Sequence, residues 1–185
     1  MSMDMIKNSI EQGLKGICAT PHFILEEQEV NLEDYFSKLN KLRDIYSSEI
    51  KILPGLELYI NPRLPEYYKS DKIFGLNQSR YLLIELPMRD FPIYTKDVFY
   101  ELSLLGAIPI IAHPERYSYV KENIGFIQEL VEMGALLQSN YGSIDGMYGF
   151  EAKKTVKKLL KSGLVTFMGS DVHRPNQIYP KISKI

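Results

Sequence analysis

The chain has 185 residues, of which 45% are hydrophobic and 24% are charged, and this composition predicts one globular domain over residues 1–185. Its formal net charge of −1 excludes a general electrostatic attraction to nucleic acid or to anionic membranes. Residues 1–13 lack the apolar core of a signal peptide, and no window approaches the roughly 18–20 apolar residues of a membrane span. A single cysteine excludes an internal disulfide. We therefore expect a cytoplasmic protein without membrane insertion.

The hydrophobic pattern predicts helices and strands in alternation along the chain. Helices are predicted at residues 3–13, 31–48, 95–105 and 149–161, with a further helix ending at Met133 and a helical turn at 64–68. Strands are predicted at residues 15–19, 50–53, 81–86, 108–112, 135–138 and 164–168. Because the strands are short, continuous apolar runs, as in parallel sheets buried on both faces, we expect an α/β barrel or a doubly wound sheet.

Two segments and one cysteine bear on where function lies in such a fold. Active sites of these folds gather at the carboxyl ends of the strands, where segments 23–30 and 87–94 are predicted to be insertions. Cys18 is interpreted as a buried structural thiol, because the glycine-rich anion loop of a cysteine phosphatase does not follow it. The lysine run within 149–161 is interpreted as a solvated outer face rather than a nucleic-acid site.

All three histidines of the chain, His22, His113 and His173, come directly after apolar runs that are predicted to be strands. A lone histidine in such a place is more often a hydrogen-bonded structural residue. Three of three in the same position favour a shared site over three separate structural roles. Imidazole nitrogens gathered with carboxylate oxygens would suit zinc, manganese or iron, so a metal-dependent hydrolase is the leading hypothesis.

Three carboxylates also lie at strand ends. Glu57 follows the second strand, although it could equally cap a helix or lie on the surface. Glu85 lies in an apolar strand, where an unpaired buried carboxylate is costly and a cation is the simplest partner. Asp171 and His173, two residues apart, would project to the same side of an extended chain.

Arg116 and Arg174 follow two of these histidines closely. Both are compatible with surface salt bridges. An active site beside metal ions also needs cations to hold phosphate oxygens, and the forked guanidinium of arginine does this with two parallel hydrogen bonds. The residues alone leave both interpretations open.

Five motifs together carry a family resemblance, at residues 19–22, 55–59, 80–85, 112–117 and 169–173. They follow one another in the order of the PHP (polymerase and histidinol phosphatase) superfamily. From about residue 3 to about residue 183, the chain more closely resembles the bacterial manganese-dependent protein-tyrosine phosphatases linked to capsule and exopolysaccharide synthesis. The resemblance implies a distorted (β/α)7 TIM-like barrel, the PHP fold, that holds a cluster of three metal ions.

The resemblance also implies roles for individual residues. The residues that match the metal ligands of the family are His22, Glu57, Glu85, His113, Asp171 and His173, with Glu57 as the bridging carboxylate. Arg116 matches the arginine that binds and stabilises the transferred phosphoryl group. Arg174 is assigned a catalytic role as well, although its spacing from the Asp-x-His motif differs from that of the family. Manganese is the expected metal, with zinc or iron as alternatives.

The implied reaction is attack by a metal-bound hydroxide on phosphotyrosine, with tyrosinate as the leaving group. The implied partner is a phosphotyrosine-bearing protein, namely the tyrosine-rich tail of a bacterial tyrosine kinase. One alternative is another PHP phosphoesterase, such as a histidinol-phosphatase, and a second is a catalytically inactive remnant or binding module. Segments 137–143 and 146–149 favour the tyrosine phosphatase.

The chain departs from the family pattern at its start, where relatives carry a first strand with a His-x-His pair. Because no histidine precedes His22, we expect a barrel that lacks this first strand, in a domain that is shortened at both ends. A misplaced start codon or a shortened gene would each explain the departure. We therefore expect fewer bound metal ions than in full-length relatives, and weak or no phosphatase activity.

Overall fold

The computed structural model describes residues 2–174, so residues 175–185 of the predicted domain lie outside the described residues. Its helices are α1 (Ser2–Glu11), α2 (Leu32–Tyr46), α3 (Leu64–Lys69), α4 (Thr95–Leu104), α5 (Ser118–Glu122), α6 (Gly125–Glu132), α7 (Tyr141–Asp145) and α8 (Phe150–Lys161). Its strands are β1 (Gly16–Ala19), β2 (His22–Phe23), β3 (Lys51–Pro54), β4 (Glu57–Tyr59), β5 (Tyr81–Glu85), β6 (Ile108–Ala112), β7 (Leu136–Asn140) and β8 (Phe167–Gly169). Short 3-10 turns lie at Leu76–Gln78 and Pro114–Arg116.

Every strand pair in the described chain is parallel. β1 pairs with β3, and the remaining strands form a sheet in the order β2-β4-β5-β6-β7-β8. Only Thr20 and Pro21 separate β1 from β2, and only Gly55 and Leu56 separate β3 from β4. The described strands therefore fill six neighbouring positions, and within residues 2–174 no ladder joins β8 back to β1 or β2.

Both faces of the sheet are covered, which accounts for the continuous apolar runs in the sequence. In β5, Leu82 and Ile84 belong to the large core cluster that the sheet shares with the surrounding helices. Leu83 points to the opposite face, where it clusters with Ile110 of β6. Since alternate residues of a strand share a face, Glu85 at the end of β5 lies on the same face as Leu83.

A smaller apolar cluster holds α1 and α2 against β1 and β3. α2 begins after Asn31, whose side-chain oxygen accepts a hydrogen bond from the Asp34 amide at 2.9 Å. Leu39 and Tyr46 are the buried residues of this helix. This packing places the first turns of α2 beside the ends of β1 and β3.

The predicted helix ending at Met133 is wrong as a single element, because it consists of α5 and α6. Asn123 between them has an extended backbone, with φ −144° and ψ 109°, and its side-chain oxygen accepts from the Gly125 amide at 2.9 Å. This asparagine ends α5, and its side chain binds the first amide of α6. β2, β4 and α7 were not predicted, since each is at most five residues long.

The prediction that Cys18 is buried is also wrong, because this residue is exposed. Ile17 and Ala19 face the cluster beneath α2, which turns Cys18 to the opposite face of β1. Its thiol donates to the Pro54 carbonyl at 3.3 Å. The α8 lysines 154, 157, 158 and 161 are exposed, as expected for a solvated face. No helix among residues 2–174 is long and apolar enough to cross a membrane.

Candidate metal and phosphoryl site

The carboxyl ends of the strands bring together most of the residues that the sequence singled out. His22 begins β2, Glu57 begins β4 and Glu85 ends β5. His113 directly follows β6, and His173 lies beyond β8. His22 and Glu57 are register partners in the ladder between β2 and β4, so their side chains leave the sheet side by side.

One group of donors consists of Glu57, Glu85 and His113. His113 Nε2 lies 3.1 Å from Glu57 Oε1 and 3.6 Å from Glu85 Oε1. Glu57 and His113 are buried, with 5% and 1% of their surface exposed. Glu57 thus occupies a strand position inside the sheet, and the alternatives of a helix cap or a surface residue are wrong.

A second group consists of His22, Glu57 and His173. His22 Nδ1 lies 3.8 Å from Glu57 Oε2 and 3.6 Å from Glu85 Oε2. The Nε2 atoms of His22 and His173 are 3.2 Å apart, although these residues come from the two margins of the described sheet. Glu57 belongs to both groups and is therefore the central carboxylate of the cluster.

The cluster perturbs the pKa values of its members. Burial alone would raise the pKa of Glu57, but the hydrogen bond to His113 and the charges of the histidines hold it below its ordinary value. Burial raises the pKa of Glu85, and the nearby Glu57 carboxylate adds to this effect. Burial lowers the pKa of His113, but the hydrogen bond to Glu57 and the charges of the Asp171 and Glu57 carboxylates together raise it above its ordinary value. Such opposed shifts within one cleft are typical of functional sites.

Asp171 lies beside this cluster but outside both donor groups. Its Oδ2 accepts hydrogen bonds from Arg116 at 2.9 Å and from the Asn140 side chain at 2.7 Å. Its Oδ1 lies 3.3 Å from His173 Nδ1. Asp171 therefore joins the histidine cluster to an arginine.

Arg116 is held from a second direction by an aromatic ring. Its guanidinium carbon lies 4.7 Å from the centre of the Tyr148 ring, a cation–π contact. Arg116 remains partly exposed at this rim. Arg174, by contrast, is an exposed residue just past His173, and its catalytic role stays a prediction.

A buried network fixes the turn that carries His113 and Arg116. Glu115, fully buried between them, accepts hydrogen bonds from the Asn140 amide at 2.8 Å and from the Ser143 hydroxyl at 2.6 Å. This ties the turn after β6 to the start of α7. No such role was predicted for these residues, and the signal that could have identified Glu115 is a carboxylate two residues after the candidate ligand His113.

Two of the site residues adopt backbone conformations that side chains other than glycine rarely take. His113 has φ 33° and Asp171 has φ 49°, both in the left-handed region. Non-glycine residues in this region cost free energy, and they cluster at sites where the surrounding structure fixes them for function. Both lie at strand ends where the chain turns toward the cluster.

The donor set fits a divalent cation. Within each group, the ligand atoms all lie within 4.8 Å of one another. Imidazole nitrogens mixed with carboxylate oxygens suit manganese, iron or zinc. A cation would also offset the free-energy cost of placing the Glu57 and Glu85 carboxylates side by side away from water.

The fold agrees with what the chain resembles among known proteins. The model of the family "Capsular polysaccharide synthesis, CpsB/CapC" matches residues 1–185. A CapC protein of Staphylococcus aureus is 39% identical, over 93% of this chain and 69% of its own length. The tyrosine-protein phosphatase YwqE of Bacillus subtilis is 33% identical, with the same coverage of both chains.

Solved structures give the same result. A chain from the crystal structures of YwqE from Bacillus subtilis and CpsB from Streptococcus pneumoniae, described as metal-dependent tyrosine phosphatases, matches with a TM-score of 0.85 and 33% identity, over 94% of this chain and 71% of that chain. The histidinol phosphate phosphatase of Lactococcus lactis matches with a TM-score of 0.63 at 17% identity, over 100% and 84% of the two chains, which supports the fold alone. The expected α/β fold of the PHP type is confirmed. The chain belongs to the CpsB/CapC family of capsular polysaccharide synthesis proteins, whose relatives at 33 and 28% identity are named tyrosine-protein phosphatases.

Proposed function

We propose that this protein is a metal-dependent phosphatase that hydrolyses phosphotyrosine in proteins. The proposal rests on the position of Arg116 at the edge of the Glu57 cluster. Arg116 donates a hydrogen bond to one carboxylate oxygen of Asp171, and the other oxygen lies beside His173. A group that binds cations and a group that binds phosphoryl oxygens thus lie side by side, as phosphate-ester hydrolysis requires.

The proposed ligands are the residues that the sequence singled out: His22, Glu57, Glu85, His113, Asp171 and His173. Asp171 has Oδ1 on the side of His173, whereas Oδ2 is engaged by Arg116 and Asn140. We propose manganese as the physiological metal, because mixed nitrogen and oxygen donors suit it. When bound, a divalent cation supplies charge that polarises a phosphoryl oxygen and lowers the pKa of water.

The protein's own groups orient the substrate and stabilise the charge that develops. Arg116 has five N–H donors, so the bond to Asp171 leaves others for two phosphoryl oxygens. Its contacts with Asp171 and Tyr148 hold the guanidinium in place before the substrate arrives, which lowers the cost of reorganisation. Arg174, exposed just past His173, is proposed to add positive charge at the same rim.

The proposed substrate is the phosphorylated tail of a bacterial tyrosine kinase that acts in capsule or exopolysaccharide synthesis, which would place the reaction in the cytoplasm. Two facts support this proposal: the family is one of capsular polysaccharide synthesis, and its named relatives are tyrosine-protein phosphatases. His173 and Arg174 at this edge are exposed, which suits a phosphotyrosine that is presented on a protein chain.

The test compares four substrates with the purified protein in the presence of Mn²⁺: p-nitrophenyl phosphate, a phosphotyrosine peptide, the matched phosphoserine peptide and histidinol phosphate. We expect slow turnover of the first two, in line with the weak activity predicted from the sequence, and its loss on addition of a chelator. A His113→Ala variant controls for contaminating phosphatases, because it removes a donor from the buried group. Preference for histidinol phosphate, or turnover that survives the chelator, would overturn the proposal.

A further inference from the structure

The ladder between the first two strand positions is interrupted just before it reaches the metal cluster. Before the interruption, the Lys51 amide donates to the Lys15 carbonyl at 3.0 Å. Beyond it, the Glu57 amide donates to the Pro21 carbonyl, also at 3.0 Å. The donor and the acceptor are separated by the same number of residues in both bonds. The two strands therefore keep the same register on both sides of the interruption.

At the interruption, the hydroxyl of Tyr35 takes the place of a ladder bond. With the same offset, the Gly55 amide would donate to the Ala19 carbonyl. Instead the Gly55 amide donates to the Tyr35 hydroxyl at 3.0 Å, and that hydroxyl lies 2.9 Å from the Ala19 carbonyl oxygen. The hydroxyl also lies 3.2 Å from the Gly55 carbonyl oxygen, so its single proton has two acceptors within reach. With either acceptor, one oxygen atom bridges the two strands.

Aromatic contacts hold the Tyr35 side chain, whose hydroxyl forms this bridge. The Tyr35 ring packs edge-on against Phe36 at 5.2 Å between ring centres and lies 6.1 Å from Phe74. Burial raises the pKa of Tyr35, so its hydroxyl stays protonated and can both donate and accept. On the strand side, a Cβ at Gly55 would lie 2.8 Å from Cys18 Sγ, so the interruption has no spare room.

We propose that Tyr35 is a positioning residue that aims His22 and Glu57 at the metal cluster. These two residues are the first register partners beyond the interruption, and both belong to one donor group. The inserted hydroxyl fixes the separation of the strands where they enter the site. The inference rests on the proposed function, since it concerns the binding of the metal that this function needs.

The test measures Mn²⁺ affinity by isothermal titration calorimetry for the wild-type protein and for Tyr35→Phe, which removes only the hydroxyl. Groups that orient metal ligands typically contribute about 10- to 100-fold to metal affinity, and we expect a loss of at least about tenfold. Tyr46→Phe is the matched control, because Tyr46 lies on the same helix and its hydroxyl donates to the Met3 carbonyl, far from the ligands in sequence. We expect its Mn²⁺ affinity to equal that of the wild type.

A second measurement does not depend on the metal. In the metal-free protein, the amide of Gly55 should exchange with solvent more slowly in the wild type than in Tyr35→Phe, as followed by NMR. Equal Mn²⁺ affinity of the two proteins, or a Gly55 amide that is unprotected in the wild type, would overturn the inference. Absence of Mn²⁺ binding by the wild type would overturn the proposed function instead, while the exchange result would still decide the role of the bridge.

Discussion

At the scale of single residues, one carboxylate oxygen of Asp171 has two partners that come from different parts of the fold. Arg116 comes from the turn after β6, and Asn140 is the last residue of β7. The position of the arginine therefore depends on three chain segments at once. This dependence predicts that substitutions at the arginine and at its supports have separable effects on turnover and on metal binding.

Arg116→Lys should reduce kcat/KM for p-nitrophenyl phosphate while leaving the Mn²⁺ affinity nearly unchanged. Lysine keeps the positive charge but cannot form the fork that binds two phosphoryl oxygens. Loss of one donor that stabilises developing charge typically costs about 10²- to 10³-fold in rate, and we expect a loss in this range. Arg89→Lys, at an exposed residue, is the matched control. Full activity of Arg116→Lys would exclude a bidentate role.

Tyr148 should matter through its ring rather than through its hydroxyl. Tyr148→Phe keeps an aromatic face for the Arg116 guanidinium, whereas Tyr148→Leu removes it. A partly exposed cation–π contact contributes about 0.5–1 kcal/mol, which corresponds to a two- to fivefold change. We expect Tyr148→Leu to raise KM for p-nitrophenyl phosphate by about that factor, with Tyr148→Phe close to wild type. Equal KM values for the two variants would contradict this explanation.

At the scale of secondary-structure elements, the long apolar strands β5 and β6 were predicted to within a residue, because burial on both faces leaves an unbroken hydrophobic run. β2 and β4 were missed because each has at most three residues and follows a break at Pro21 or Gly55. Their existence depends on pairing with a distant strand, and local sequence carries little of that information. The division between α5 and α6 likewise depends on one asparagine, Asn123.

The break between β3 and β4 favours glycine at position 55. An alanine Cβ there would lie 2.8 Å from Cys18 Sγ and 2.9 Å from the side chains of Leu76 and Thr20. Such overpacking costs about 1–3 kcal/mol, and we expect Gly55→Ala to lower the free energy of unfolding by this amount in urea titrations.

Gly16→Ala provides the control for Gly55→Ala within the same ladder. A Cβ at Gly16 would meet its nearest neighbour, the Lys51 carbonyl oxygen, at 3.6 Å, which is an ordinary contact. We expect Gly16→Ala to unfold at nearly the same urea concentration as the wild type. If both variants were equally stable, the close approach at Gly55 would have no energetic importance.

At the scale of the whole molecule, the candidate ligands could be predicted from the sequence, whereas the contacts that hold them in place could not. The three histidines and three carboxylates were identifiable because strand ends meet at one edge of a parallel sheet. The link from Glu115 to Ser143, the ring of Tyr148 beneath Arg116 and the hydroxyl of Tyr35 were not predictable. Each is a contact between segments whose separation in space no local pattern encodes.

Because the proposed ligands come from many strands, a bound ion should stabilise the entire fold. A ligand at 100 times its Kd stabilises the native state by about 2.7 kcal/mol, which for a protein of this size raises Tm by about 5–10 °C. We expect this rise with saturating Mn²⁺, as measured by differential scanning calorimetry. It should vanish in Glu57→Gln, which alters the carboxylate common to both donor groups, and persist in the control Glu66→Gln. An unchanged Tm in the wild type would contradict metal binding by the folded chain.

The presence of Glu57 in both donor groups has a thermodynamic consequence. Two ions that share one carboxylate cannot bind independently, because the first to arrive changes the charge and orientation that the second encounters. The coupling free energy is reciprocal, so each ion changes the binding free energy of the other by the same amount. When ions fill both donor groups, metal titrations of this protein should therefore show two coupled binding steps rather than two independent ones.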